Sequence, residues 1–253
     1  MPEDGRLWTD AIHVSALYFW NVAKVEREPV GWGVTANLLV RWTAGVAFDP
    51  LFPKTGGGED IDFCIQMGSC FHPVEDAKVI HPWRETPFKM FTRLIEWGIG
   101  DGMLVRKHPH FTFRTLPNLI ELSIICIISC GLGFVPVSSL WIPLASDLLT
   151  YFVAETYMHR MWWGPRSMHD ILRKSSVFRR VLVLAIGCIA RSCSNAGQLI
   201  GQVKRFEVMS LGRRFDFFVG KNPDAVSFER ARSALFISIV LVFFTLFIGA
   251  SFP

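Results

Sequence analysis

Gly56-Gly57-Gly58-Glu59-Asp60-Ile61-Asp62-Phe63-Cys64 sets three glycines and three carboxylates at the start of a helix-forming stretch. Glycine permits the left-handed backbone of a tight turn and lets another group come close to the chain. The acids then fall in a first helical turn, where unpaired N–H groups and the helix dipole favour negative charge. Gly68 is a C-cap for a helix from about Glu59 to Met67. Asp60 and Asp62 stand two apart and cannot share a helical face, so they have different roles. A carboxylate held at a glycine loop is a candidate general base; an acidic helix start with ordinary capping is the equal alternative.

Upstream, Val34-Thr-Ala-Asn-Leu-Leu-Val40 follows Gly31-Trp-Gly33 and reads as a buried strand. Phe48-Asp-Pro-Leu-Phe-Pro53 is a turn-rich link into the glycine loop. Downstream, Ala77-Lys-Val-Ile-His81 reads as a second strand stopped by Pro82. From Pro87 to about Gly98, Phe88, Phe91, Leu94, Ile95 and Trp97 recur mostly at helical spacing, which predicts an amphipathic helix.

The 253 residues are 51% hydrophobic, with the apolar residues concentrated in the second half. Residues 1–118 have the mixed, charged composition of a small soluble domain; residues 119–253 alternate apolar runs with basic patches. Three transmembrane helices are expected, at 119–137, 139–153 and 234–252. The segment 177–203 is apolar only in part and has basic residues on both flanks. It is expected to lie as an interfacial or re-entrant helix with both ends on the cytoplasmic side. The net charge of +4 sits beside the apolar runs, a membrane-topology pattern rather than a nucleic-acid footprint. The first residues lack the apolar core of a secretory signal, and no internal repeat supports a transporter. None of the six cysteines forms a C-x-x-C pair, and free thiols are expected.

The ordered set resembles the C-terminal half of the catalytic domain of family-2 glycosyltransferases. It comprises Gly33-Val-Thr-Ala-Asn-Leu-Leu-Val-Arg41, Phe48-Asp49-Pro50, the glycine loop with its acids, Gly68, Val79-Ile-His81 and Arg93…Trp97-Gly98. These are inverting enzymes of the GT-A fold, many of them membrane-anchored. The resemblance covers about residues 15–118. It implies an α/β, partial GT-A-like acceptor half over 1–118, followed by an α-helical transmembrane region. It also implies a nucleotide-sugar donor, a carbohydrate or lipid-linked acceptor and a multi-pass location in an endomembrane or the plasma membrane, with the soluble domain cytoplasmic.

By this resemblance Asp60 is the general base for the acceptor hydroxyl and Glu59 orients the acceptor or Asp60. Proton removal during attack typically contributes about a hundred- to ten-thousand-fold. Asn37, Gly57, Gly58, Asp62, Arg93 and Trp97 are the implied substrate-site residues, with Asp62 bracing the loop. His81 is the implied ligand of a divalent Mg or Mn ion that would hold the leaving diphosphate; a half-buried histidine before Pro82 is the competing reading.

Two departures qualify the resemblance. Processive synthases carry Gln-x-x-Arg-Trp, whereas Arg93-Leu-Ile-Glu96-Trp97 keeps only the Trp, so transfer of one or a few sugars is expected. Only about thirty residues precede the first matched strand, too few for the family's nucleotide-binding βα units. The expectation is a truncated form of such an enzyme, with a non-catalytic membrane adaptor as the alternative. Four further features carry less weight. His108-Pro-His110 has no third metal ligand in view. Asp147 and Glu155 flank an apolar run and read either as marks of a polar pathway or, more simply, as hydrated interfacial acids. Met158, Met161, Trp162 and Trp163 read as interfacial anchors.

Overall fold

The computed structural model describes residues 6–15, 29–41, 45–54, 56–74, 77, 86–158, 172, 175–204 and 212–251. They form seven helices longer than one turn. These are α1 (Leu7–Val14), α2 (Glu59–Gln66), α3 (Pro87–Lys107), α4 (Leu119–Gly131), α5 (Trp141–Val153), α6 (Val177–Lys204) and α7 (Pro223–Ser251). Two three-residue strands, β1 (Thr112–Arg114) and β2 (Arg213–Phe215), pair in the one sheet among the described residues.

The chain divides into two compact units. The first takes in Tyr18–Phe113 and Cys193–Pro223. Its core is Phe52, Ile61, Met103, Leu104, Val105 and Phe215, with Trp32, Ile65, Ile99, Phe111 and Phe217 packed against them. Within this unit α3 and α6 meet through glycines. A side chain on Gly98 or Gly102 would collide with the backbone of Ser194 or Gln198, and one on Gly197 or Gly201 with that of Ile95 or Ile99. Each pair has Gly-x-x-x-Gly spacing, which clears one helical face so that two backbones can approach.

The second unit takes in Pro2–Leu17, Arg114–Ser192 and Asp224–Pro253. One of its clusters joins Ala11, Val14, Tyr151, Leu172, Val183, Leu184 and Cys188. Another joins Leu119, Ile142, Phe236 and Val240. Asn118 and Glu121 start α4 with a reciprocal capping box, each side chain accepting from the other's backbone N–H.

Several expectations change. Val34–Val40 is not a strand: Thr35–Asn37 forms a 3-10 turn, and Val34 and Leu39 are exposed. A strand needs a neighbour for its ladder, and the one bridge nearby joins Val30 to Phe71. The α/β layering expected for 1–118 is therefore replaced, among the described residues, by a mainly helical arrangement. Of the expected strand at 77–81, only Ala77 lies among the described residues. The amphipathic helix exists but runs 21 residues, because nothing after Gly98 breaks it before Lys107.

Two described helical runs, not three, are long and apolar enough to cross a membrane: Val137–Met158 and Pro223–Phe247. The first expected crossing forms only the 13-residue α4. At 1.5 Å per residue this reaches about 20 Å, short of a hydrocarbon core of about 30 Å. The segment 177–203 forms one continuous helix, α6.

Candidate functional site

In the first unit Gly56, Gly57 and Gly58 all have positive φ, at 93°, 110° and 81°. The reason is proximity. Gly57 presses on the backbone of Trp97, and Gly58 on the carbonyl of Gly100 and the ring of Phe52. Gly100 in turn abuts the Gly57 carbonyl. The loop thus lies on one turn of α3, and α2 begins directly from it with Gly58 as N-cap. The expected helix and its glycine entrance are found where the sequence puts them, and Gly68 closes the helix with φ of 95°.

A Cβ placed on Gly56 would stand 3.2 Å from Glu59 Oε1, 3.3 Å from Arg93 Nη2 and 3.5 Å from Trp97 Nε1. An acid, a guanidinium and an indole N–H therefore converge on the bare backbone of Gly56. Arg93 also pairs with Glu96 at 3.2 Å and lies over the Trp97 ring at 5.5 Å. Glu59 Oε2 and Arg93 Nε are buried without a hydrogen-bond partner.

Beside them the Ile61 N–H donates to Asp60 Oδ1 at 2.9 Å. Burial, reinforced by the neighbouring Glu59 charge, pushes Asp60 up to about 6 against the opposing pull of backbone N–H groups, Thr35 among them. Asp101 completes the acidic group from α3, one turn beyond Trp97. Burial and the charges of Asp60 and Glu59 push it well above the ordinary carboxylate range. Asp101 was not singled out by sequence. Its only sequence signal is the four-residue spacing from Trp97, which puts the two on one helical face.

Asp62 faces the other way, as its spacing from Asp60 demands. It is fully buried. Its Oδ2 accepts from Lys107 Nζ at 2.9 Å and Gln66 Nε2 at 2.9 Å, and its Oδ1 from His108 Nε2 at 2.8 Å. Lys107 also donates to Asp49 Oδ2 at 2.6 Å. Burial alone would raise Asp62, but the bonds from His108 and Lys107 hold it below the usual range. Its oxygens are occupied, so Asp62 braces the loop, and His108 is bound to that brace. Asn37 sits on the 3-10 turn and donates through Nδ2 to the Ala77 carbonyl at 3.0 Å, tying two surface segments together.

The structure thus gathers Gly57, Gly58, Glu59, Asp60, Arg93 and Trp97, sets Asp62 beneath them and adds Asp101. His81 lies outside the described residues. Among the described residues no group of three or more His, Cys, Asp or Glu side chains is arranged to hold a metal ion. Glu155 is buried rather than hydrated; tertiary contacts of the second unit, invisible in the local sequence, cover it.

Comparison with known proteins returns no match: no family model, no curated protein and no solved structure matches this chain.

Proposed function

We propose that this chain is a membrane-bound glycosyltransferase, or a truncated form of one, that moves a sugar from a nucleotide-sugar donor to an acceptor hydroxyl. The observation that carries the reading is the placement of Asp60 at a glycine-bounded helix start beside Glu59, where burial pushes its carboxyl up to about 6. In the reaction its carboxylate takes the hydroxyl proton as the acceptor oxygen attacks the anomeric carbon. The bond from that carbon to the diphosphate oxygen breaks, and the nucleotide departs with its electron pair. A base titrating near the working pH serves this step best, being ionised yet still a useful proton acceptor.

Glu59, Arg93 and Trp97 around Gly56 suit an acceptor sugar, whose hydroxyls both donate and accept and whose C–H face packs on an aromatic ring. A divalent ion, if used, would neutralise the leaving diphosphate; His81 remains its proposed ligand, and Asp60 acts without calling on it. The two long apolar helices and the exposed Leu144, Leu148, Leu149, Phe152, Leu241, Val242 and Leu246 support a membrane setting.

The test is transfer from radiolabelled nucleotide sugars to a membrane acceptor fraction by the full chain and by Asp60→Asn. Loss of transfer by about a hundred- to ten-thousand-fold, with helical content and membrane fractionation unchanged, supports the reading. Wild-type chain that transfers nothing from any donor tried overturns it and favours the adaptor.

A further inference from the structure

In the second unit Glu155 is 1% exposed and Tyr151 2%, and neither Glu155 Oε2 nor the Tyr151 hydroxyl has a hydrogen-bond partner. Glu155 lies in the π-helical turn Ala154–Met158 that continues α5. Such turns are rare and concentrate at functional positions. The Tyr151 hydroxyl lies against α6 at Gly187, where a Cβ would be 2.5 Å away.

The charged groups around Glu155 come from four helices. Glu155 lies within electrostatic reach of Arg191 of α6 and of Arg232 and Glu229 of α7. Tyr151 lies within reach of Glu155, Arg191, Arg232 and Cys188. Both guanidiniums, however, are directed to Glu229: Arg191 Nη2 bonds its Oε1, and Arg232 Nε lies 3.7 Å from its Oε2. On α5, Asp147 Oδ2 accepts from the Cys188 thiol at 3.2 Å. On α1, Asp10 is taken by Arg179 at 2.7 Å. Counting Asp147, the group holds three carboxylates against two guanidiniums; neither Asp147 nor Glu155 has an ion-pair contact, but Asp147 is partly exposed and accepts from Cys188, whereas Glu155 is enclosed with its Oε2 unpartnered.

An ionised carboxylate in such a place costs several kcal/mol unless it is paired. A single positive charge on Glu155 removes the imbalance. We propose that Glu155 is a proton-binding site of the folded helix core, releasing its proton only when the α5–α6–α7 packing loosens. A proton is favoured over an alkali cation because Glu155 and Tyr151 offer two unpartnered oxygens, fewer than the six or more that hard cations collect. The arrangement makes the packing of the apolar unit sensitive to pH, independently of the proposed chemistry at Asp60.

The full chain in phosphatidylcholine nanodiscs is examined by infrared spectroscopy and thermal unfolding from pH 5 to pH 8. The expected result is a protonated-carboxyl C=O band in wild type that Glu155→Gln removes. Folding should also take up about one proton more in wild type than in Glu155→Gln. The sign follows: the unfolded glutamate is ionised above its ordinary range near 4.3, so wild type loses stability as pH rises while the variant stays flatter. If Glu155→Gln does not assemble, Tyr151→Phe should still shift the band by altering the environment of the acid. An infrared spectrum unchanged by either substitution overturns the proposal. So does an unfolding midpoint that depends on sodium or potassium at fixed pH in wild type alone, which would make the occupant a metal cation. Transfer activity plays no part in these readouts.

Discussion

Gly100 lies directly against Gly57, leaving no room for a side chain beside the Gly57 carbonyl oxygen. This one approach seats the glycine loop on α3 and aims the start of α2 at Trp97 and Asp101. Gly100→Ala should therefore destabilise the first unit by at least the ~1–3 kcal/mol of ordinary overpacking, because the obstruction is backbone. Gly45→Ala is the comparison. It has φ of 85° and open space around it, so it carries only the backbone strain of about 1–2 kcal/mol. Urea midpoints of the two variants, measured side by side, check the difference.

Asp62 should matter to stability more than any other acid of the loop. Asp62→Ala leaves His108 and Gln66 without that acceptor and Lys107 with Asp49 alone, and losing bonds to such a charged group costs about 1.5–3 kcal/mol. Because its folded proton affinity is depressed, the contribution of Asp62 is present above the ordinary carboxylate range and is lost as pH falls through its folded value. Acid unfolding should accordingly begin at lower pH in wild type than in a variant already lacking the bracket. An acid midpoint unchanged in Asp62→Ala would contradict this.

Asp60 has the opposite sign. Raised from 3.8 to about 6, it favours the folded state least when ionised. Asp60→Asn should thus be more stable than wild type at pH 7, by an order-of-magnitude 3 kcal/mol, and no more stable at pH 3. If Asp60 is the base, kcat/KM rises with pH through about 6. Glu59→Gln removes the neighbouring charge and should move that limb to lower pH; a limb that stays in place would assign it to another group.

Asp101→Asn makes a sharper distinction. Asp101 binds its proton more tightly than an ordinary carboxylate beside Asp60 and Glu59, so its amide mimic should leave the pH limb close to where it is and flatten the loss of stability with rising pH. A large shift of the limb in Asp101→Asn would mean that Asp101 carries charge when Asp60 titrates.

The two Gly-x-x-x-Gly faces should behave as one joint. Gly98→Leu or Gly201→Leu forces α3 and the adjoining part of α6 apart and should lower the midpoint of the first unit strongly. The double variant should cost less than the sum, since either side chain alone separates the same surfaces. Additive losses would show that the two positions act independently.

The helix after the glycine loop, its cap at Gly68, the opposed directions of Asp60 and Asp62, and the apolar runs of the second half are all legible in the order of residues. All of these follow from local rules: glycine conformations, a period of 3.6 residues and the length of uncharged stretches. That order did not determine that Val34–Val40 would remain a turn, because a strand exists only if a partner strand does. The length of the first expected crossing is likewise not legible there, since hydropathy does not report where Gly131-Leu132-Gly133 ends a helix.

That Asp101 joins Asp60, that Gly98 and Gly102 meet the helix face of Gly197 and Gly201, and that Glu155 is enclosed emerge from packing within each unit. Proton affinity and close backbone approach are set by what lies across a few ångströms of space. Those neighbours come from segments about forty to a hundred residues away in the chain, where no local pattern records them.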